Sequence, residues 1–236
     1  MFALATQAYY NMITELVEHS FKNKLTHVPS ALSMLTYINI LFTQEYVKPY
    51  RDRIVLGKPF GSQAYYLVWK KLGYLDNIDN LSMGVKHEEI SFVDYGEETM
   101  GNALGVAAGM AIANPTQIVW VNITDATLQM GSTLEALQYI GHNELNNILL
   151  TVDNNNCQVT GKTSDVLHVG PVLDFIHNNN WDVVTCDGHC GATIKDTYTQ
   201  RSNFPRAFIY NTIKGYGVPY MECDPVKWHY RPIESL

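Results

Sequence analysis

Two residues stand where their types and spacing could do chemistry. Asp125 follows the apolar run QIVWVNI (117–123) with Thr124 between, and Asn155 follows NILLTV (147–152) after Asp153 and Asn154. A carboxylate and an amide oxygen are hard ligands, suited to Mg²⁺ or Ca²⁺ alongside phosphate oxygens. Plainer work also suits them: Asp125 as the cap of a following helix, and the Asn154–Asn156 run as a turn. On these two residues alone the plainer reading is the simpler one.

Both need elements to hold them. The pattern predicts buried strands at 117–123, 147–152, 182–186 and 206–210. Between and around them it predicts helices at 101–113, 132–142, 172–178 and 192–201. Met12, Leu16 and Val17 mark one further helix, and Leu32, Leu35 and Ile38 mark a second that begins near Pro29-Ser30. Continuous apolar strands alternating with helices predict an α/β fold, a parallel sheet with helices on both faces. Ligands of such sheets sit beyond the carboxyl ends of the strands. Asp125 and Asn155 lie at two of those ends.

Composition narrows the class. The chain has 236 residues, 46% hydrophobic, and a formal charge of −7 with 16 Lys and Arg. That content supports a packed core, and a single domain over 1–236 is expected. The acidic balance argues against nucleic acid as a partner. No apolar run reaches the length of a membrane span, Ala31 to Phe42 being the nearest, and no secretory signal is seen at the start. Cys157, Cys186, Cys190 and Cys223 form no CxxC pair and read as reduced thiols of a cytoplasmic protein. Cys186, His189 and Cys190 are too few ligands for zinc.

Longer segments carry a resemblance. HVPSALS from His27 resembles GHPGSSLS of the transketolases, and DRIVLGKPFGS from Asp52 resembles their DRFVLSKGHAS. TMGNALGVAAGM from Thr99 is similar to SLGQGLSVAVGM, TDATLQMG from Thr124 to GDGELQEG, and DNNNCQVTG from Asp153 to DRNGLQIDG. CDGH from Cys186 and KGYGVPYME from Lys214, with Trp228-His229 beyond, follow in the family's order. The chain thus resembles the N-terminal, thiamine diphosphate-binding half of the transketolases, over residues from about 10 to 233.

That resemblance implies a site. Asp125, the side-chain oxygen of Asn155 and the backbone carbonyl of Cys157 would bind Mg²⁺ (or Ca²⁺), and Ala126, opening a helix, would offer its N–H to the diphosphate. Val159 and Ile213 would pack the thiazolium ring. Glu98, Thr99 and Met100 would meet the aminopyrimidine. His27 and His229, with His87 after a short gap, would crowd the reactive carbon and handle substrate hydroxyl and carbonyl protons; His142, His168 and His177 match nothing in the family.

Departures and omissions sharpen the expectation. Phe60 stands where most transketolases have a diphosphate-donating His, Thr124 and Ala126 replace two glycines, Met130 replaces a Glu, and Glu98 replaces a Gly. The family's pyrimidine-binding domain does not follow His229 in this sequence. The resemblance therefore implies the N-terminal subunit of a split transketolase, with a separately encoded pyrimidine-binding and C-terminal subunit in a heterotetramer (α₂β₂). Its reaction would move a two-carbon ketol unit from a ketose donor to an aldehyde acceptor, on sugar or sugar-phosphate substrates, in a specialised sugar pathway. Two alternatives remain at this point. One is the alpha-like subunit of a thiamine-dependent 2-oxoacid dehydrogenase or decarboxylase, and the other is a non-catalytic stabilising subunit.

Overall fold

Alternate residues of the central strands face opposite helical layers, which is why those strands read as unbroken apolar runs. Trp120, Leu149, Phe208 and Tyr210 point to one side; Val121, Ile123, Leu150, Val152 and Ile209 point to the other. The computed structural model describes residues 2–198 and 202–235. Six strands, β1 (Arg53–Leu56), β2 (Tyr95–Gly96), β3 (Val119–Thr124), β4 (Ile148–Asn154), β5 (Asp182–Asp187) and β6 (Arg206–Asn211), form one parallel sheet. Their order is β2-β1-β3-β4-β6-β5.

One layer holds α1 (Phe2–Lys22), α2 (Val28–Thr43), α3 (Gln63–Lys71) and α8 (Gly191–Thr197). The other holds α4 (Ala103–Ala113), α5 (Gly131–His142) and α7 (Gly170–Asn178). Two short helices, α6 (Thr163–Val166) and α9 (Pro219–Cys223), sit in connections. The α/β class expected from the sequence is what is seen, with helices on both faces.

α2 has almost no exposed face. Fourteen of its residues are buried, so its lack of an amphipathic stripe reflects enclosure on all sides. It starts abruptly because His27 adopts the left-handed backbone region, φ 59°, ψ 22°, and Pro29 follows inside the first turn.

The observed elements differ from the expected ones at their margins. β3 and β4 extend past Ile123 and Val152, taking in Thr124, Asp153 and Asn154. α8 stops at Thr197, and residues 199–201 of the expected helix lie outside the described residues. β1, β2 and α3 were not expected from the pattern; β1 has four residues and β2 two, too few to display a period.

Candidate cofactor and active site

β3 and β4 pair in register with Thr124 opposite Asp153, so the segments leaving them run side by side. Asp125 opens a tight 3-10 helix, Asp125–Gln129, ahead of α5, so the helix expected to open at Ala126 is a single short 3-10 segment. Its carboxylate is fully buried. Oδ1 accepts hydrogen bonds from the Thr124 hydroxyl at 2.8 Å and from the Ala126 N–H at 2.9 Å. Oδ2 is buried and accepts no hydrogen bond within range; the buried Thr163 hydroxyl, itself unpartnered, lies near enough only to lower the carboxyl slightly. Burial pushes the Asp125 carboxyl above its ordinary range, and the nearby Asp153 charge adds to the shift. An unmatched buried acceptor costs about 1–3 kcal/mol, more if charged, so its retention asks for a ligand.

Asn155 is held from both ends of its amide. Its Nδ2 donates to Asp153 Oδ2 at 2.7 Å, and its Oδ1 accepts the Cys157 N–H at 3.0 Å. A carboxylate only accepts, which fixes which end of the amide is oxygen. The Cys157 carbonyl accepts from the buried Lys214 Nζ at 3.1 Å.

Asp153 anchors the floor. Ser33 donates to Oδ2 at 2.6 Å and Thr212 to Oδ1 at 2.5 Å, while the buried Lys58 ammonium pairs with Oδ2. Burial alone would raise this carboxyl; Lys58 and the hydroxyl donors hold it below its usual range instead. Glu97 is a third buried carboxylate. It accepts the N–H groups of Gly101, Asn102 and Ala103 at 3.1, 2.9 and 2.8 Å, serving as the acceptor at the N-terminus of α4. The turn closes because Gly101 has φ +116°, where a Cβ would also meet Ser132 Oγ at 2.7 Å.

Facing the strand ends are two histidines from distant parts of the chain. The His27 N–H donates to the His229 carbonyl at 2.9 Å, and the rings meet edge to face with centroids 4.7 Å apart. Phe60 stacks on His27 at 5.0 Å, and Tyr230 packs edge-on against both rings. Burial, then the charges of Lys214 and Lys58, lower His27 to about 4. Burial, followed by Lys214, His27 and Lys58, lowers His229 to about 3. Both imidazoles are neutral near pH 7. They can exchange hydrogen bonds with substrate oxygens there but do not serve as stored acids.

These groups surround one cleft of about 560 Å³, whose lining includes His27, Thr99, Met100, Ala126, Asn155, Cys157, Val159 and His229. Asp125 lies buried beneath Ala126. Glu98 reaches the same cleft, but its side chain is 81% exposed and pairs with Lys86 at 3.7 Å. Two expected residues are not in this group. Ile213 is an exposed side chain off the lining, its N–H donating to His189 Nε2 at 2.8 Å. His87 lines an adjoining cavity of about 740 Å³ that shares Phe60 and Met83 with the cleft, and its Nδ1–H donates to the Val93 carbonyl at 2.6 Å.

The family model described as transketolase, thiamine diphosphate binding domain, matches residues 12–233. The chain belongs to the transketolase family. Among relatives, transketolase-like protein 2 of Bos taurus is 27% identical over 98% of this chain but only 41% of its own length. The chain therefore spans about two fifths of that relative. A subunit of the apulose-4-phosphate transketolase of Phocaeicola vulgatus is 27% identical over 91% of this chain and 84% of its own length. The Campylobacter jejuni transketolase structure matches with TM-score 0.72 at 19% identity, over 94% of this chain and 40% of that one, a likeness of fold.

Within this transketolase-family site, Lys58, Glu97 and Lys214 are the buried charges that sequence reading left out. A sequence signal existed only for Lys214, which follows an expected strand; β1 and β2, which precede Lys58 and Glu97, show no period. Lys58 and Lys214 follow the ends of β1 and β6, and Glu97 follows β2, the same edge of the sheet that presents Asp125.

Proposed function

We propose that this chain is the diphosphate-binding subunit of a split transketolase, transferring a two-carbon ketol unit from a ketose to an aldehyde acceptor together with a separate subunit. The unpartnered Oδ2 of Asp125 carries the reading. It is a buried carboxylate oxygen just past the end of β3, and the Asn155 amide and the Cys157 carbonyl follow the end of the adjacent parallel β4. That donor set is all oxygen, as Mg²⁺ or Ca²⁺ requires, and the residues present fit a divalent cation with its diphosphate.

Asp125, Asn155 and the Cys157 carbonyl would hold the ion, and Ala126 and Thr124 lie where the diphosphate would approach. Thiamine diphosphate, when bound, supplies the electron sink for carbon–carbon cleavage. The chain's own contribution is orientation. The packed, neutral pair His27 and His229 meets substrate hydroxyl and carbonyl oxygens, and Phe60 gives the His27 side of the cleft an apolar wall. His87 reaches the same substrate from the adjoining cavity.

The separate partner is supported by what surrounds the cleft. Met100, Val159, Ile213 and Tyr230 are 41–59% exposed, an apolar surface suited to burial against another subunit. Relatives of matching length are themselves named as transketolase subunits. A heterotetramer, sugar or sugar-phosphate substrates and a cytoplasmic site of action complete the proposal. Among the described residues no helix is long and apolar enough to cross a membrane.

Isothermal titration of thiamine diphosphate and Mg²⁺ into the chain mixed with its partner tests the reading. Binding is expected, with Asp125→Ala weakening it by about 100-fold or more, the scale of losing one ligand of a metal site. Absence of binding by the unmodified pair would reduce the chain to a stabilising role.

A further inference from the structure

Lys214 lies just past the end of β6 and is 3% exposed. Its Nζ has two hydrogen-bond neighbours, the Cys157 carbonyl at 3.1 Å and His229 Nδ1 at 2.8 Å. A carbonyl only accepts, and an ammonium only donates. Nδ1 facing that ammonium is therefore the lone-pair nitrogen of the ring. A neutral imidazole has one N–H and one lone pair, so its proton must reside on Nε2. Nε2 has no hydrogen-bond partner among the described residues, and the ring lines the cleft. His27 and Tyr230 both pack edge-on against the ring, which restrains it from turning over.

We propose that Lys214 is a positioning residue that fixes His229 as the Nε2–H tautomer, so that the ring donates a hydrogen bond to a substrate oxygen in the cleft. The substrate assignment rests on the ketol-transfer reading, in which the oxygen is the carbonyl of a ketose donor or aldehyde acceptor. Such an oxygen can only accept, and it gains negative charge as carbon attacks its carbon. A donor fixed in advance favours that charge without reorganising as it develops. His87 provides the contrast. Its Nδ1–H is committed to the Val93 carbonyl, so that ring is held by donating from Nδ1 where His229 is held by accepting there.

The test begins without partner or cofactor. Long-range ¹H–¹⁵N correlation spectra of the intact, histidine-labelled chain near pH 7 read each tautomer directly, with His229 assigned by its loss in His229→Gln. Nδ1 of His229 is expected as a lone-pair nitrogen and Nε2 as protonated. A proton on Nδ1 overturns the proposal, and because this reads the unmodified chain, no folding failure of a variant can shield it. Lys214→Met should let a measurable Nδ1–H population appear, and Lys214→Arg, which keeps a donor, should remove it. An unchanged spectrum in Lys214→Met also overturns the proposal.

With partner and saturating cofactor, Lys214→Met should lower kcat about tenfold or more, with the donor KM changing far less. In a His229→Gln background the same change should cost less than about twofold. A full cost persisting there shows that Lys214 acts elsewhere and sinks the proposal. Absence of ketol transfer by the unmodified pair would instead sink the functional reading, leaving the tautomer result standing.

Discussion

Asp125 and Asp153 are the same residue type at the ends of adjacent strands, both fully buried, yet their surroundings are opposite. Asp153 is surrounded by donors: an ammonium, an amide and two hydroxyls. Asp125 has two donors on one oxygen and none within bonding range of the other, only the unpartnered Thr163 hydroxyl nearby. The environments move their carboxyls in opposite directions, Asp153 below its ordinary range and Asp125 above it. A satisfied buried charge is part of the architecture, whereas an unsatisfied one is kept for something that arrives later. The contrast separates scaffold from site more sharply than burial does, since burial is the same for both.

The contrast can be broken by substitution. Asp153→Ala would leave the Lys58 ammonium buried without its counter-charge and free the donors of Ser33, Asn155 and Thr212. A loss of about 3–5 kcal/mol in urea unfolding is expected, the range for breaking a buried ion pair from one side. A loss below about 1 kcal/mol would show that Lys58 is not confined as described.

Glu97 lies between the two cases, because its three donors are backbone N–H groups. Glu97→Ala should lower stability by about 1–2 kcal/mol, the scale of a lost helix cap. Its effect should concentrate in α4, readable as faster amide exchange at Gly101, Asn102 and Ala103. Uniform exchange across the chain would contradict the capping role.

Asp125→Asn should have the smallest effect on folding, within about 1 kcal/mol, because it removes a charge that the fold does not match. Its sign should depend on pH. A carboxyl raised above its unfolded value destabilises the folded state as pH rises past that unfolded value, levelling off above the folded one. Asp125→Asn should therefore gain stability over the unmodified chain as pH rises above about 4, the ordinary aspartate value. For the depressed Asp153 the linkage is reversed: its contribution is present above the unfolded value and is lost as pH falls through the folded one. Asp153→Asn should thus be most damaging near neutrality. Parallel pH curves for the two variants would refute the comparison.

Much of this could be read in the sequence because parallel strands buried on both faces have few other appearances. QIVWVNI and NILLTV cover all of β3 but its last residue and all of β4 but its last two, and Asp125 and Asn155 follow the observed ends directly. What could not be read has two physical causes. β1 and β2 are short, and a two-residue strand is defined by its neighbour's hydrogen bonds alone. Pairings between buried charges, such as Lys58 with Asp153 or Lys214 with His229, join residues far apart in the chain, and only the assembled sheet decides which of them meet. Choosing Glu98 over Glu97 shows the limit: one residue separates a solvent-facing carboxylate from a helix cap. Phe60 reads in sequence as the loss of a donor, whereas in the fold it is the surface against which His27 stacks.

The hydrogen bond between the His27 N–H and the His229 carbonyl closes the cleft with residues that flank all six strands in the chain. In order of synthesis, the first partner waits for the second while the whole sheet between them leaves the ribosome. Until then α2, which the finished fold encloses on every side, lacks its β6 neighbours Phe208 and Tyr210. The nascent chain therefore carries an uncovered apolar helix while its sheet is being translated, and this is the interval in which a chaperone would have most to hold.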